Sequence, residues 1–131
     1  MKLSDIKGDR TLEVIAEIID PIANIAEDDA AAAMFKPEKL PEGMDAKTFL
    51  TKRIRKSLPT LLRNHKSDII AILSSIEDTS PEKYSSVLSL AKLIKDIIEL
   101  LTDEAFAQLF ISAQNENTSG SAQENIEGRE Q

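Results

Sequence analysis

The sequence predicts an all-α protein: a single small helical domain of five or six helices, several broken by proline, with a disordered C-terminal tail. Three observations predict it. Leucine, isoleucine, valine and phenylalanine recur at steps of three and four along most of the first 113 residues, which is the helical period. No stretch alternates apolar and polar residues as a half-buried strand would, and Asn-Gly or Asp-Gly hairpin turns are absent. From Gln114 to Gln131 a single large apolar residue, Ile126, stands among Ser, Asn, Glu and Gln. The domain is therefore placed at 1–113, and a disordered, polar, acidic tail at 114–131.

Each element has its own local reason. Ser4 and Asp5 can cap a short first turn that Gly8 interrupts. The first long helix follows Asp9, with Leu12, Ile15, Ala16, Ile19, Ile22, Ala23 and Ala26 on one face. Pro21 is expected to kink or break it near Asp20, because proline lacks the backbone N–H and crowds the preceding turn. The segment "EDDAAAAMF" reads as a second short helix, with Glu27, Asp28 and Asp29 at its positive end. The prolines and glycine of "KPEKLPEGM" make it a loop.

Asp45 then caps a strongly amphipathic helix. Its apolar positions are Phe49, Leu50, Ile54, Leu58, Leu61 and Leu62, and its other face carries Lys47, Lys52, Arg53, Arg55, Lys56 and Arg63. Pro59 should bend or split it. Ser67 can cap a helix through Ile69, Ile70, Ile72, Leu73 and Ile76, apolar nearly all round and so expected at the centre. In "DTSPEKY" Ser80 caps, Pro81 takes the first helical position and Glu82 meets the dipole. Tyr84, Val87, Leu88, Ala91, Ile94, Ile98 and Leu101 follow on one helix. Thr102 and Asp103 restart a last short helix bearing Phe106, Leu109 and Phe110.

Composition bounds the function. The chain has 131 residues, 41% hydrophobic and 30% charged, which suits one self-sufficient soluble domain. With no cysteine there is no disulfide framework and no thiolate zinc site. Lys2 is not followed by an apolar run, so no signal peptide is expected, and no apolar run approaches the roughly 20 residues that cross a bilayer. An intracellular protein without a membrane partner is the expectation. Net charge is −7, yet residues 45–66 form a basic island with seven cations and one acid.

Candidate chemistry is sparse. His65, the only histidine, lies at a helix end, where it is expected to meet the terminal carbonyls and not to act as a base. Glu27, Asp28 and Asp29 are consecutive, unlike the alternating oxygen ligands of a calcium loop. There is no Walker-type phosphate loop and no G-x-S-x-G elbow. Neither enzymatic activity, nor a metal, nor a cofactor is expected. The island "KRIRKSLPTLLRNHK" has three readings: a solvated or internally balanced face, a surface for a protein partner, or a phosphate-tracking surface. The lack of interleaved aromatics and the acidic flanks argue against nucleic acid. "IEGR" at Ile126–Arg129 matches a protease site used to remove tags and is read as coincidence, since only Glu130 and Gln131 follow.

Three stretches carry a family resemblance: "MKLSDIKGDRTLEVIAEIIDPIANIAED", "KSLPTLLRNHKSDIIAILSSIED" and "LAKLIKDIIELLTDEAFAQLFISAQ". Together they resemble the tail assembly chaperones of long-tailed (siphovirus-type) bacteriophages and prophages of Gram-positive bacteria, over about residues 1–114. The resemblance implies a protein that binds and solubilises the helical, aggregation-prone tape-measure protein in the bacterial cytoplasm and is absent from the mature virion. It also implies a frameshift-extended form whose extra domain recruits the tail-tube protein, with the polar tail as its leash. Homo-oligomers are compatible with it. The partner-binding surface expected from the amphipathic basic helix comprises Phe49, Leu50, Arg53, Ile54, Leu58, Leu61 and Leu62. The alternative is a small regulatory binding module using the basic helix 46–66 to contact nucleic acid or an acidic partner.

Overall fold

The computed structural model describes residues 2–36 and 38–119. A 3-10 turn at Leu3–Asp5 precedes seven helices: α1 (Asp9–Ala26), α2 (Asp29–Ala32), α3 (Ala46–Asn64), α4 (Lys66–Glu77), α5 (Pro81–Val87), α6 (Leu90–Leu101) and α7 (Glu104–Ser119). No strand occurs among the described residues. The backbone of α7 continues past Ala113 to Ser119, so it is longer than the short last helix expected. The rest of the expected disordered tail, with the Ile126–Arg129 stretch, lies outside the described residues.

Local chemistry sets most helix starts. Carboxylates or hydroxyls accept from the backbone N–H three residues on at Asp28 (from Ala31), Asp45 (from Thr48, 2.7 Å), Ser80 (from Lys83, 3.1 Å) and Ser89 (from Lys92, 3.1 Å). Asp103 caps α7 by accepting from Ala105 N–H and, across the fold, from the backbone and hydroxyl of Ser4. That contact docks the first turn on the last helix. Gly8 enters α1 with φ +72°, a backbone region open to glycine. Ser67 does not cap α4; the helix begins one residue earlier, at Lys66, directly after His65.

Helices α1 and α4 form the centre. α1 packs along α4 and α7, α5 and α3 pack on α4, and α2 links α1 to α3. The central place expected for α4 is what the structure has. Val14, Ile18, Ile22 and Ile25 of α1 are wholly buried, with Ile69, Ile72 and Ile76 of α4 beside them in the same core. Phe35, Phe106 and Phe110 close one side, their ring centroids 5.3 to 6.3 Å apart.

Three expectations need correction. Neither proline interrupts its helix: α1 runs on through Pro21 and α3 through Pro59. Ile18 and Ile22 straddle Pro21 in the core, and Leu58 and Leu61 straddle Pro59, so packing holds each helix across the lost hydrogen bond. Second, the helix expected from Ser80 to Leu101 is two. Leu88 and Ser89 are extended, and Ser89 caps a new helix. Ile97 and Leu100 are therefore the buried apolar residues of α6, while Val87 is exposed. Third, the buried stripe of α1 is rotated from the one expected. Ile22 and Ala26 are buried, but Leu12 is 71% exposed and Ile19 38%.

Candidate functional site

The basic helix α3 splits lengthwise into two faces. Leu61 is wholly buried, and Ile54, Leu58 and Leu62 pack partly buried against the core. Phe49 and Leu50, in the first turns, are half-buried. The opposite stripe, Phe49, Lys52, Arg53 and Lys56, borders a groove of about 400 Å³. Its other wall comes from the segment between α2 and α3, through Lys36, Pro41 and Met44. The floor is apolar and the rim cationic.

Arg53 lines this groove and also fastens it together. Its Nη2 donates to the backbone carbonyls of Ala33 (3.4 Å), Met34 (2.6 Å) and Lys36, the last turn after α2. Such carbonyls lack donors where a helix ends, and a guanidinium fork supplies them. The Nε is buried without a hydrogen-bond partner and lies 3.8 Å from Glu38 Oε2. Above, the guanidinium carbon sits 5.8 Å from the centroid of Phe49. The side chain thus fastens the groove's far wall to α3.

Of the seven residues expected to form the partner surface, the structure brings Phe49 and Arg53 to the groove. Leu61 is corrected to a core residue, closed to any partner by its burial. Ile54, Leu58 and Leu62 serve mainly as packing, and Leu50 is half-buried away from the groove lining. The sequence reading missed Lys36, Pro41 and Met44. The signal was present in "KPEKLPEGM", a loop that mixes lysines with Leu40 and Met44, but its return over α3 is set by Arg53 across 17 to 20 residues.

A second apolar surface lies elsewhere. A groove of about 400 Å³ between α1 and α7 is lined by Leu3, Ile6, Ile15 and Leu109, and the exposed Leu12 and Ile19 extend α1's apolar surface beyond it. The breadth of apolar positions on α1, more than one neighbour can cover, was its sequence signal.

The titratable clusters around His65 and Tyr84 are consumed by structure. His65 Nε2 lies 2.8 Å from Asp28 Oδ2 and Nδ1 lies 3.0 Å from Asp68 Oδ2. The ring thus joins the α2 cap to the α3–α4 corner; it does not meet helix carbonyls as expected. Buried Tyr84 donates to Asp96 (2.6 Å), and Lys92 bonds both Glu77 and Asp96. Burial, and then the Asp96 contact, push the Tyr84 phenol well above its ordinary range, so it stays a donor. Among the described residues no cluster of three metal-ligating side chains occurs, and no helix is long and apolar enough to cross a membrane.

No protein-family model, curated protein or solved structure matches the chain.

Proposed function

We propose that this protein is a tail assembly chaperone, which binds the tape-measure protein of a long-tailed phage while the tail is built. The reading starts from the sequence resemblance. The observation that supports it best in the fold is the apolar groove along α3, open to solvent and walled by a segment without regular structure. Helical clients present apolar stripes, and grooves beside amphipathic helices are a common way to hold them. The exposed apolar strip of α1 gives a long client a second place to rest. On this reading the chain works in the host cytoplasm, is left out of the mature virion, and reaches the tail-tube protein through an extended form.

Co-expression with the tape-measure protein encoded in the same genome, followed by size-exclusion chromatography, tests it. The client is expected to become soluble and to co-elute with this chain. A client that stays insoluble while this chain elutes alone would overturn the proposal. One feature favours the alternative of a nucleic-acid or acidic-partner module: Lys47, Arg55 and Arg63 are exposed and make no ion pair among the described residues. Heparin retention that collapses with salt would favour that module.

A further inference from the structure

We infer that the groove along α3 selects an acidic amphipathic helix, one with carboxylates a turn apart beside an apolar stripe. The inference rests on the groove being the client site and adds the chemistry by which it would choose among segments. Lys52 and Lys56 stand four residues apart on one edge of α3, about 6 Å along its axis. Lys36 stands on the opposite wall. All three are exposed and make no ion pair among the described residues. The only carboxylate lining the groove among the described residues, Glu38, approaches Arg53. An incoming helix lying along α3 therefore meets unpaired positive charge on both sides, with the apolar side chains of Pro41, Met44 and Phe49 between.

Charge complementarity chooses the occupant. A partner helix with Glu or Asp at i and i+4 repeats the Lys52–Lys56 spacing, and its intervening apolar side chains reach the floor. A nucleic acid fits less well. The one guanidinium among the groove's described lining residues turns its Nη2 to backbone carbonyls and buries its Nε, which leaves it no free fork for a phosphate, and Phe49, the one aromatic ring among them, lies beside that guanidinium.

The test uses the full chain and fluorescein-labelled helical peptides of about 18 residues with one leucine stripe. One carries Glu pairs at i, i+4 beside the stripe, and its twin carries Lys there; a labelled single-stranded DNA is the third probe. Anisotropy titration near physiological salt is expected to rank Glu peptide over Lys peptide by about tenfold. Lys52→Glu with Lys56→Glu should reverse that ranking, and Lys52→Gln with Lys56→Gln should level it. Both positions are exposed and unpaired, so the variants should keep the parent's circular dichroism. Three outcomes would overturn the inference: no peptide binding or equal binding by the parent, an unchanged ranking in either folded variant, or DNA held more tightly than the Glu peptide. Should the peptide ranking fail while the tape-measure protein is solubilised, the charge rule falls and the chaperone reading stands. The reverse pattern removes the chaperone reading and leaves the groove's preference.

Discussion

Both ring nitrogens of His65 face carboxylate oxygens, and a carboxylate only accepts. The imidazolium, with two N–H donors, is the form that satisfies both contacts. Burial alone would lower its pKa, but the hydrogen bonds to Asp68 and Asp28, with their charges, outweigh burial and raise it above 6.5. Asp28 is held below the ordinary 3.8, chiefly by its bond to His65. The signs differ. Stabilisation by His65 is fully present below its unfolded pKa of 6.5 and is lost as pH rises through the raised folded value. That of Asp28 is present above 3.8 and is lost as pH falls through its lowered value. We expect His65→Ala to cost about 1.5–3 kcal/mol near pH 5.5, the range for hydrogen bonds to charged groups, and distinctly less near pH 8.5. Thermal denaturation of both proteins across that range measures the gap; a gap independent of pH would mean that the ring's charge contributes nothing. Only part of this was readable beforehand. Asp68 is three residues from His65, but Asp28 is 37 residues away and reaches it only in the fold.

At the scale of the element, proline and phase matter most. Pro59 sits inside α3 on its exposed side and gives the carbonyl one turn back no N–H. Proline costs about 3 kcal/mol against alanine in a helix interior, partly offset by the freedom it removes from the unfolded chain. Pro59→Ala should therefore raise stability by about 1–2 kcal/mol, seen as a higher urea midpoint at unchanged slope. A lower midpoint would show that the proline shapes α3 for the contacts of Leu58 and Leu61. Helix existence was legible at this scale, and so were the caps at Asp45 and Ser80, because each is a bond within about three residues. The break at Ser89 was not. Tyr84 and Ile98 fit one continuous helical stripe on paper, and only the docking of α5 on α4 and α6 on α7 separates them.

Across the whole molecule, the phenylalanine cluster joins segments remote in sequence. Phe35 follows α2, while Phe106 and Phe110 lie on α7, and Phe106 meets Phe35 edge-on at 66°. Phe35 directly precedes Lys36, whose carbonyl Arg53 holds, so the core and the groove wall are continuous. Phe106→Ala should cost about 3–5 kcal/mol, a large part of the margin of a domain this size. Urea unfolding monitored by circular dichroism checks it; a loss under about 1 kcal/mol would mean the site collapses to fill the space.

The sequence by itself determined the helical class, the order of most helices, the caps at Asp45 and Ser80 and the position of the basic island, because periodicity and capping act over three or four residues. The tertiary structure decided which side of α1 and α6 is buried, that Leu61 is core, and that Arg53 fastens a groove wall. Burial of a helix face depends on how much of its circumference neighbours cover, and Arg53's partners depend on a loop returning across α3. Both are set by packing between distant segments, which no local pattern encodes.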